Sequence, residues 1–139
     1  MALKDKILEV IRGPKVAAIA TIKQESGQFH PAVRYMVTTG LDDLTLIAST
    51  AKSSRKIQQM KENPNVAITI WSGETFANPY VMIQARAEIH EDLETKKNFW
   101  NPSLEKWWKG PEDPEFVVIK YSPSSIEYYH DMKVEVWKK

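Results

Sequence analysis

The chain has 139 residues, no cysteine, and a formal net charge of +1 from 19 basic and 18 acidic side chains. This length predicts one domain over residues 1–139, and the lack of cysteine excludes disulfide scaffolds, thiolate zinc sites and thiol nucleophiles. A near-neutral charge argues against nucleic acid as a partner, and no apolar run is long enough to span a membrane, so we expect a soluble, cytoplasmic protein.

The first part of the chain predicts a short helix followed by a hairpin. Apolar residues repeat at helical spacing up to Gly13–Pro14, where a glycine and then a proline end the helix. Two segments of strand character follow, Val16–Ile22 and Phe29–Thr38, and turn residues around Gly27 separate them. A third strand is predicted at Leu44–Ser49 after a short turn, so the three strands form an antiparallel meander.

The rest of the chain predicts further strands interrupted by short helices. Ser53 or Ser54 can cap a helix that ends at Asn63–Pro64, and Asp92 can cap a second one. The remaining predicted strands are Val66–Trp71, Tyr80–His90, Phe116–Tyr121 and Ile126–Val136, the last two separated by Ser122–Ser125. Connections this short cannot cross over a parallel sheet, so we expect a mainly β fold: a closed or nearly closed antiparallel barrel of six or seven strands with peripheral helices.

The segment Ser49–Lys56 carries the densest chemical signal. It leaves a strand, passes several hydroxyl side chains and three cations, and enters a helix. Free backbone N–H groups at a helix start attract anions, and cations in the first turn oppose the helix dipole unless something negative compensates them. A phosphorylated small ligand would suit this place, although an ordinary capped helix with solvated cations explains the same residues.

Arg34 is a second candidate because of its place in a strand. Side chains alternate along a strand, so Arg34 shares a face with Ala32 and Met36. A charged side chain there either lies at a barrel edge with its head in water or pairs with an anion inside a cleft. The residues alone leave both interpretations open.

In order and spacing, these segments resemble the FMN-binding core of the pyridoxamine 5′-phosphate oxidase-like split-barrel family. The resemblance rests on Arg34–Val37, then Ser49–Thr50, then Ser54–Lys56 opening a helix that ends at Glu62–Val66. The later segment Trp108–Lys120 is similar to the general stress protein branch of that family. The resemblance covers about residues 16–129 and implies a split β-barrel.

The resemblance also implies a homodimer that binds FMN in a cleft between its subunits. Arg34, Arg55 and Lys56 would contact the phosphate, Tyr35–Val37 would lie along the ring or ribityl chain, and Ser49–Thr50 would hydrogen-bond the phosphate or ribityl end. The family also places residues near the start of the long fifth strand close to the flavin. The candidate cofactor-binding residues are thus Arg34, Tyr35, Met36, Val37, Ser49, Thr50, Ser54, Arg55, Lys56 and Tyr80.

Two departures from the family's oxidases bear on the reaction. Thr39 stands where those oxidases have a lysine, and the chain ends in Val134–Lys139 instead of the segment that helps hold pyridoxine phosphate. We therefore expect an FMN-dependent oxidoreductase with another substrate. A non-enzymatic flavin-binding module of a stress response and a deazaflavin-dependent reductase remain as alternatives.

Other residues predict less chemistry. No histidine has a second ligand at metal-site spacing, so we predict no metal site, and no side chain is required as a general acid or base. Trp100, Trp107 and Trp108 are concentrated in one segment. Two roles remain open for them, packing in the core or dimer interface and stacking near a flavin.

Overall fold

The computed structural model describes all 139 residues and contains seven strands, three α-helices and one short 3-10 helix. In chain order the elements are α1 (Leu3–Ile11), β1 (Gly13–Glu25), β2 (Gln28–Gly40), β3 (Leu46–Ala51), α2 (Arg55–Glu62), β4 (Asn65–Trp71), β5 (Tyr80–His90), α3 (Leu93–Asn98), the 3-10 helix (Pro102–Lys106), β6 (Phe116–His130) and β7 (Lys133–Lys138). None of the helices combines the length and the apolar character that crossing a bilayer requires.

Six of the strands close into a ring. Antiparallel neighbours follow the order β3, β2, β1, β4, β5, β6, and β3 then pairs with β6 to complete the circuit. The seventh strand pairs only with β6, outside the ring. Closure leaves few unpaired strand edges. The protein is therefore a mainly β, antiparallel split barrel with short helices around it, as predicted.

Side chains alternate between the two faces of each strand, and those on the inner face fill the barrel. On β1, Ala17, Ile19 and Thr21 are buried while Val16 on the other face is exposed. Helix α1 adds its apolar face to the main core, and α2 packs against β1 and β5 with Ile57, Gln59 and Met60 buried; the residues buried from α1 are Ile7, Leu8, Val10 and Ile11. Both helices thus cover barrel surface that would otherwise face water.

The first hairpin confirms the prediction and extends it. β1 and β2 pair from Gly13↔Gly40 to Glu25↔Gln28, so both strands are longer than predicted. Ser26 and Gly27 form the two-residue turn with positive φ values of 51° and 76°. This left-handed pair matches the twist of the flanking strands. β3 begins two residues later than predicted because the backbone N–H and the hydroxyl of Thr45 both donate to Oδ1 of Asp43 and hold a turn there.

The prediction was wrong about the end of the sheet. Ser122–Ser125 does not separate two strands, because β6 runs unbroken from Phe116 to His130. A register shift opposite Gln84 and Ala85 of β5 accommodates the segment as a bulge. The chain reverses instead at Asp131–Met132, where both residues have positive φ. The number of strands is nevertheless seven, as expected.

Candidate functional site

A cleft of about 1140 Å³ lies between the barrel and residues 98–108, which we call the helical wall. β2 and β3 form the opposite wall, and α2 contributes Lys56. No carboxylate and no histidine lines this cleft. The predicted site residues among its lining are Tyr35, Met36, Val37, Ser49, Thr50 and Lys56.

The cleft opens where β2 and β3 separate. These two strands pair only at Thr39↔Ile47 and Gly40↔Leu46. Beyond that point β3 stays paired with β6 as far as Ala51, whereas the edge of β2 that faces β3 has no strand partner within the chain. Backbone N–H and C=O groups along Tyr35–Val37 are therefore free for a ligand on that side.

Arg34 and Lys56 lie in one neighbourhood, as the family resemblance implied. Lys56 is half-buried, and its pKa is lowered by burial and by the positive charge of Arg34. No carboxylate acts on Lys56 to offset this repulsion. Two like charges brought together without a counter-charge make a site that favours an anion.

The Arg34 guanidinium is held on one side only. Its Nη2 donates a hydrogen bond of 3.1 Å to Oε1 of Gln59, and that oxygen also accepts from the Thr21 hydroxyl. Its Nη1 is buried and has no hydrogen-bond partner. The Ser54 hydroxyl oxygen is buried without a partner as well. Because buried polar groups are normally bonded, these two atoms fit an anionic ligand with acceptor oxygens.

The start of α2 also has polar and charged groups without a partner in the chain. Ser54 occupies the N-cap position but makes no side-chain capping bond, and the first turn contains Arg55 and Lys56 without an acidic residue. The predicted alternative, Ser53, instead donates to Oε2 of Glu115 at 2.8 Å and ties the loop to the start of β6. The N–H groups of the first turn and the cations thus remain available to an anion.

Four predicted residues lie outside the lining: Arg34 and Ser54, whose buried polar atoms are described above, and Arg55 and Tyr80. Arg55 is exposed next to Lys56 at the start of α2. Tyr80 begins β5 and stacks on Tyr129, with ring centroids 4.7 Å apart. This stack lies near the end of β6 opposite to the Phe116 end, which pairs with Ala51 beside the cleft. Within one chain, the structure does not bring Tyr80 together with the other candidates.

The three tryptophans of the helical wall differ in burial and packing. Trp100 and Trp108 pack against Phe116, with ring centroids 5.2 Å apart in each pair, and belong to a second, smaller apolar cluster. Trp107 is 71% exposed and lines the cleft. The helical wall is therefore anchored by Trp100 and Trp108, and all three tryptophans line the cleft.

Sequence reasoning missed the polar contacts behind the cleft. Gln59 and Thr21 were not singled out, although Gln59 follows Lys56 by three positions and so shares its helix face. Tyr121 was also missed; its hydroxyl lies 3.7 Å from the Met36 sulfur, and burial raises its pKa. The sequence did offer one signal for Gln59: it directly precedes Met60, which is buried on the same helix.

The closed six-stranded ring and the separation of β2 from β3 define a protein of the split-barrel class. The cationic start of α2 lies beside this opening. Residues 3–130 match the model of the pyridoxamine 5′-phosphate oxidase family, and the chain belongs to that family.

Relatives with general stress names share both sequence and fold. The chain is 34% identical over 125 residues to General stress protein 26 of Bacillus subtilis, covering 89% of this chain and 86% of that protein. It is 32% identical to the crystal structure of General Stress Protein 26 from Bacillus anthracis, with a TM-score of 0.82 and all of both chains covered. A pyridoxamine 5′-phosphate oxidase-related, FMN binding protein from Nostoc punctiforme has the same fold at 14% identity, with a TM-score of 0.66 over 90% of this chain and 86% of that one.

Proposed function

We propose that the chain binds FMN in the cleft and acts as a flavin-dependent oxidoreductase. The observation that carries this proposal is the pair of cations Arg34 and Lys56 beside a cleft that no carboxylate lines. Nη1 of Arg34 is buried without a partner, and Nη2 donates to Gln59, three positions after Lys56 on α2. FMN offers a phosphate for this pair and a flat ring for the space beside it. The FMN-binding name of the Nostoc relative supports the same cofactor.

Each part of the proposed site has its own task. Lys56, Arg34 and the first turn of α2 with Ser54 and Arg55 bind the phosphate. The unpaired edge of β2 at Tyr35–Val37 and the hydroxyls of Ser49 and Thr50 orient the ring and the ribityl chain. When bound, FMN supplies the redox chemistry, which needs no acid or base from the protein. Apolar side chains of the cleft walls pack against the ring.

A second copy of the chain completes the proposed site. The outer face of β1 and β2 exposes apolar side chains, with Val33 71% and Tyr35 75% exposed, and Val16 paired opposite Val37. Exposed apolar surface of this kind marks an interaction site. A homodimer formed on this face buries these residues, and it offers a way for Tyr80 of one subunit to approach the cleft of the other.

FMN titration tests the cofactor. We expect the purified protein to take up FMN with flavin absorbance in the visible range, and the double variant Arg34→Ala with Lys56→Ala to lose that uptake. Lys52→Ala is the matched control because Lys52 forms an ion pair of 2.8 Å with Glu91 outside the cleft lining. A wild-type protein that stays colourless in excess FMN would contradict the proposal.

Turnover and cofactor choice require separate measurements. Steady oxidation of NADH or NADPH by the FMN-loaded protein would support an oxidoreductase. Its absence, with FMN tightly bound, would favour the non-enzymatic flavin module. Tighter binding of a deazaflavin cofactor than of FMN would favour the deazaflavin-dependent reductase instead.

A further inference from the structure

We propose that Gln59 is a positioning residue for the phosphate site: its side-chain oxygen holds the Arg34 guanidinium in place without neutralising its charge. The inference rests on the proposed binding of FMN. It assigns the phosphate site a supporting residue that does not line the cleft and does not touch the ligand.

Gln59 joins three elements at one buried atom. Its side chain is 8% exposed, and Oε1 accepts from the Thr21 hydroxyl of β1 and from Nη2 of Arg34 on β2. Thr21 itself is fully buried. The amide oxygen therefore fixes α2 to both strands of the first hairpin, and it directs one edge of the guanidinium away from the ligand.

The remaining edge of the guanidinium, at Nη1, is the one that can donate to a ligand. Nη1 of Arg34 is buried and unpartnered, so it is a donor without an acceptor in the chain. An arginine on a long flexible stem must be ordered before it can bind a phosphate with good geometry. Holding Nη2 beforehand reduces that ordering cost for the ligand.

A neutral amide suits this role better than a carboxylate. A glutamate at position 59 would pair with Arg34 and satisfy its charge, whereas the glutamine oxygen accepts the hydrogen bond and leaves the positive charge for a ligand. Gln59 also lies three positions after Lys56 on α2, so its bond to Arg34 sets the spacing between the two cations.

Binding of FMN and of riboflavin, which lacks the phosphate, tests the inference. The variants are Gln59→Glu, which keeps the shape but adds a charge, Gln59→Leu, which removes the acceptor, and Thr21→Val. We expect Gln59→Glu to weaken FMN binding about 10-fold to 100-fold through loss of the charge-assisted phosphate contact, with riboflavin binding nearly unchanged. Gln59→Leu should weaken FMN binding less than Gln59→Glu does, and Thr21→Val should weaken it least.

Control variants separate positioning from folding. Gln58→Glu adds the same charge on the exposed side of α2, where Gln58 contacts Glu62, and should leave the ratio of the two dissociation constants unchanged. Gln59→Leu combined with Arg34→Ala should bind FMN no more weakly than Arg34→Ala alone, because Gln59 acts through Arg34. Thermal unfolding of each variant confirms that it is folded.

The outcomes are distinguishable. Equal weakening of FMN and riboflavin, additive losses in the double variant, or an unchanged FMN affinity in Gln59→Glu would overturn the positioning role while leaving FMN binding intact. A wild-type protein that binds neither compound would overturn the proposed function, and the inference would fall with it.

Discussion

Two side chains at this site, Lys56 and Arg34, lower the stability of the folded protein when no ligand is bound. Lys56 has a lowered pKa because it is half-buried and faces Arg34, and Nη1 of Arg34 lacks an acceptor. Both features raise the free energy of the folded chain until an anion arrives. Binding sites commonly retain such unfavourable groups because a ligand relieves them.

Lys56→Met tests this trade at the residue scale. Methionine keeps an apolar stem and removes the charge, so we expect the unliganded protein to melt about 1–3 °C higher at neutral pH and to bind FMN more weakly. Lys52→Met is the control: its pKa is raised by the hydrogen bond from Lys52 to Glu91, so loss of the charge there should give no such gain. Destabilisation by Lys56→Met in thermal unfolding would contradict the prediction.

The same lysine predicts a pH dependence. Its pKa in the folded protein lies below the ordinary value of 10.5, so the unfolded chain holds the proton more tightly. Stability contributed by this group therefore rises with pH from the folded pKa up to about 10.5. The gain in melting temperature from Lys56→Met should shrink when measured at pH 10 instead of pH 7, and a gain that grows with pH would contradict the sign.

At the scale of elements, the first and last hairpins, β1–β2 and β6–β7, differ in their turns. The first has Ser26 and Gly27 at positive φ, and the last has Asp131 and Met132, with φ of 54° and 63°. Glycine adopts such backbone without strain, whereas a methionine does not. The turn between β6 and β7 therefore retains strain that the turn between β1 and β2 largely avoids.

Met132→Gly should relieve this strain. We expect the variant to gain about 1 kcal/mol of unfolding free energy in a urea titration, because the exposed methionine side chain loses no packing. Gly27→Ala is the matched opposite, since it introduces a side chain at φ +76° and should destabilise the first hairpin. An unchanged or lower unfolding free energy in Met132→Gly would contradict the prediction.

At the scale of the whole molecule, the proposed dimer links the apolar outer face to the cleft. Val33 lies on that face, on the same strand as Arg34 and one position before it. A charge there would be buried without a partner if two copies meet on this surface. We therefore expect a charge at Val33 to disrupt the dimer and to weaken FMN binding at the same time.

Val33→Glu tests that link. We expect sedimentation to show a dimer for the wild type and a monomer for the variant, with FMN binding weakened at least about tenfold because a subunit is lost from the site. Val136→Glu, a half-exposed valine on β7 outside the ring, should change neither property. A wild-type monomer that binds FMN normally would overturn the dimer but not the cofactor.

Local patterns predicted more of the fold than of the site. Alternation correctly separated Arg34 and Met36 from exposed Val33 and Tyr35 on β2, because side-chain period is a property of the strand itself. The serines and proline of Ser122–Ser125 misled the prediction, since a bulge paired with β5 keeps them within one strand. Whether turn-forming residues make a turn depended here on a neighbour about 40 positions away.

The residue order alone determined the first five strands, the antiparallel class and the cationic start of α2, since these follow from periodicity and from the few residues on each side. Only the tertiary structure decided that β2 and β3 part to open the cleft and that Gln59 meets Arg34 and Thr21. Those contacts join residues 25 and 38 positions apart, and their geometry depends on how the closed ring and α2 pack together.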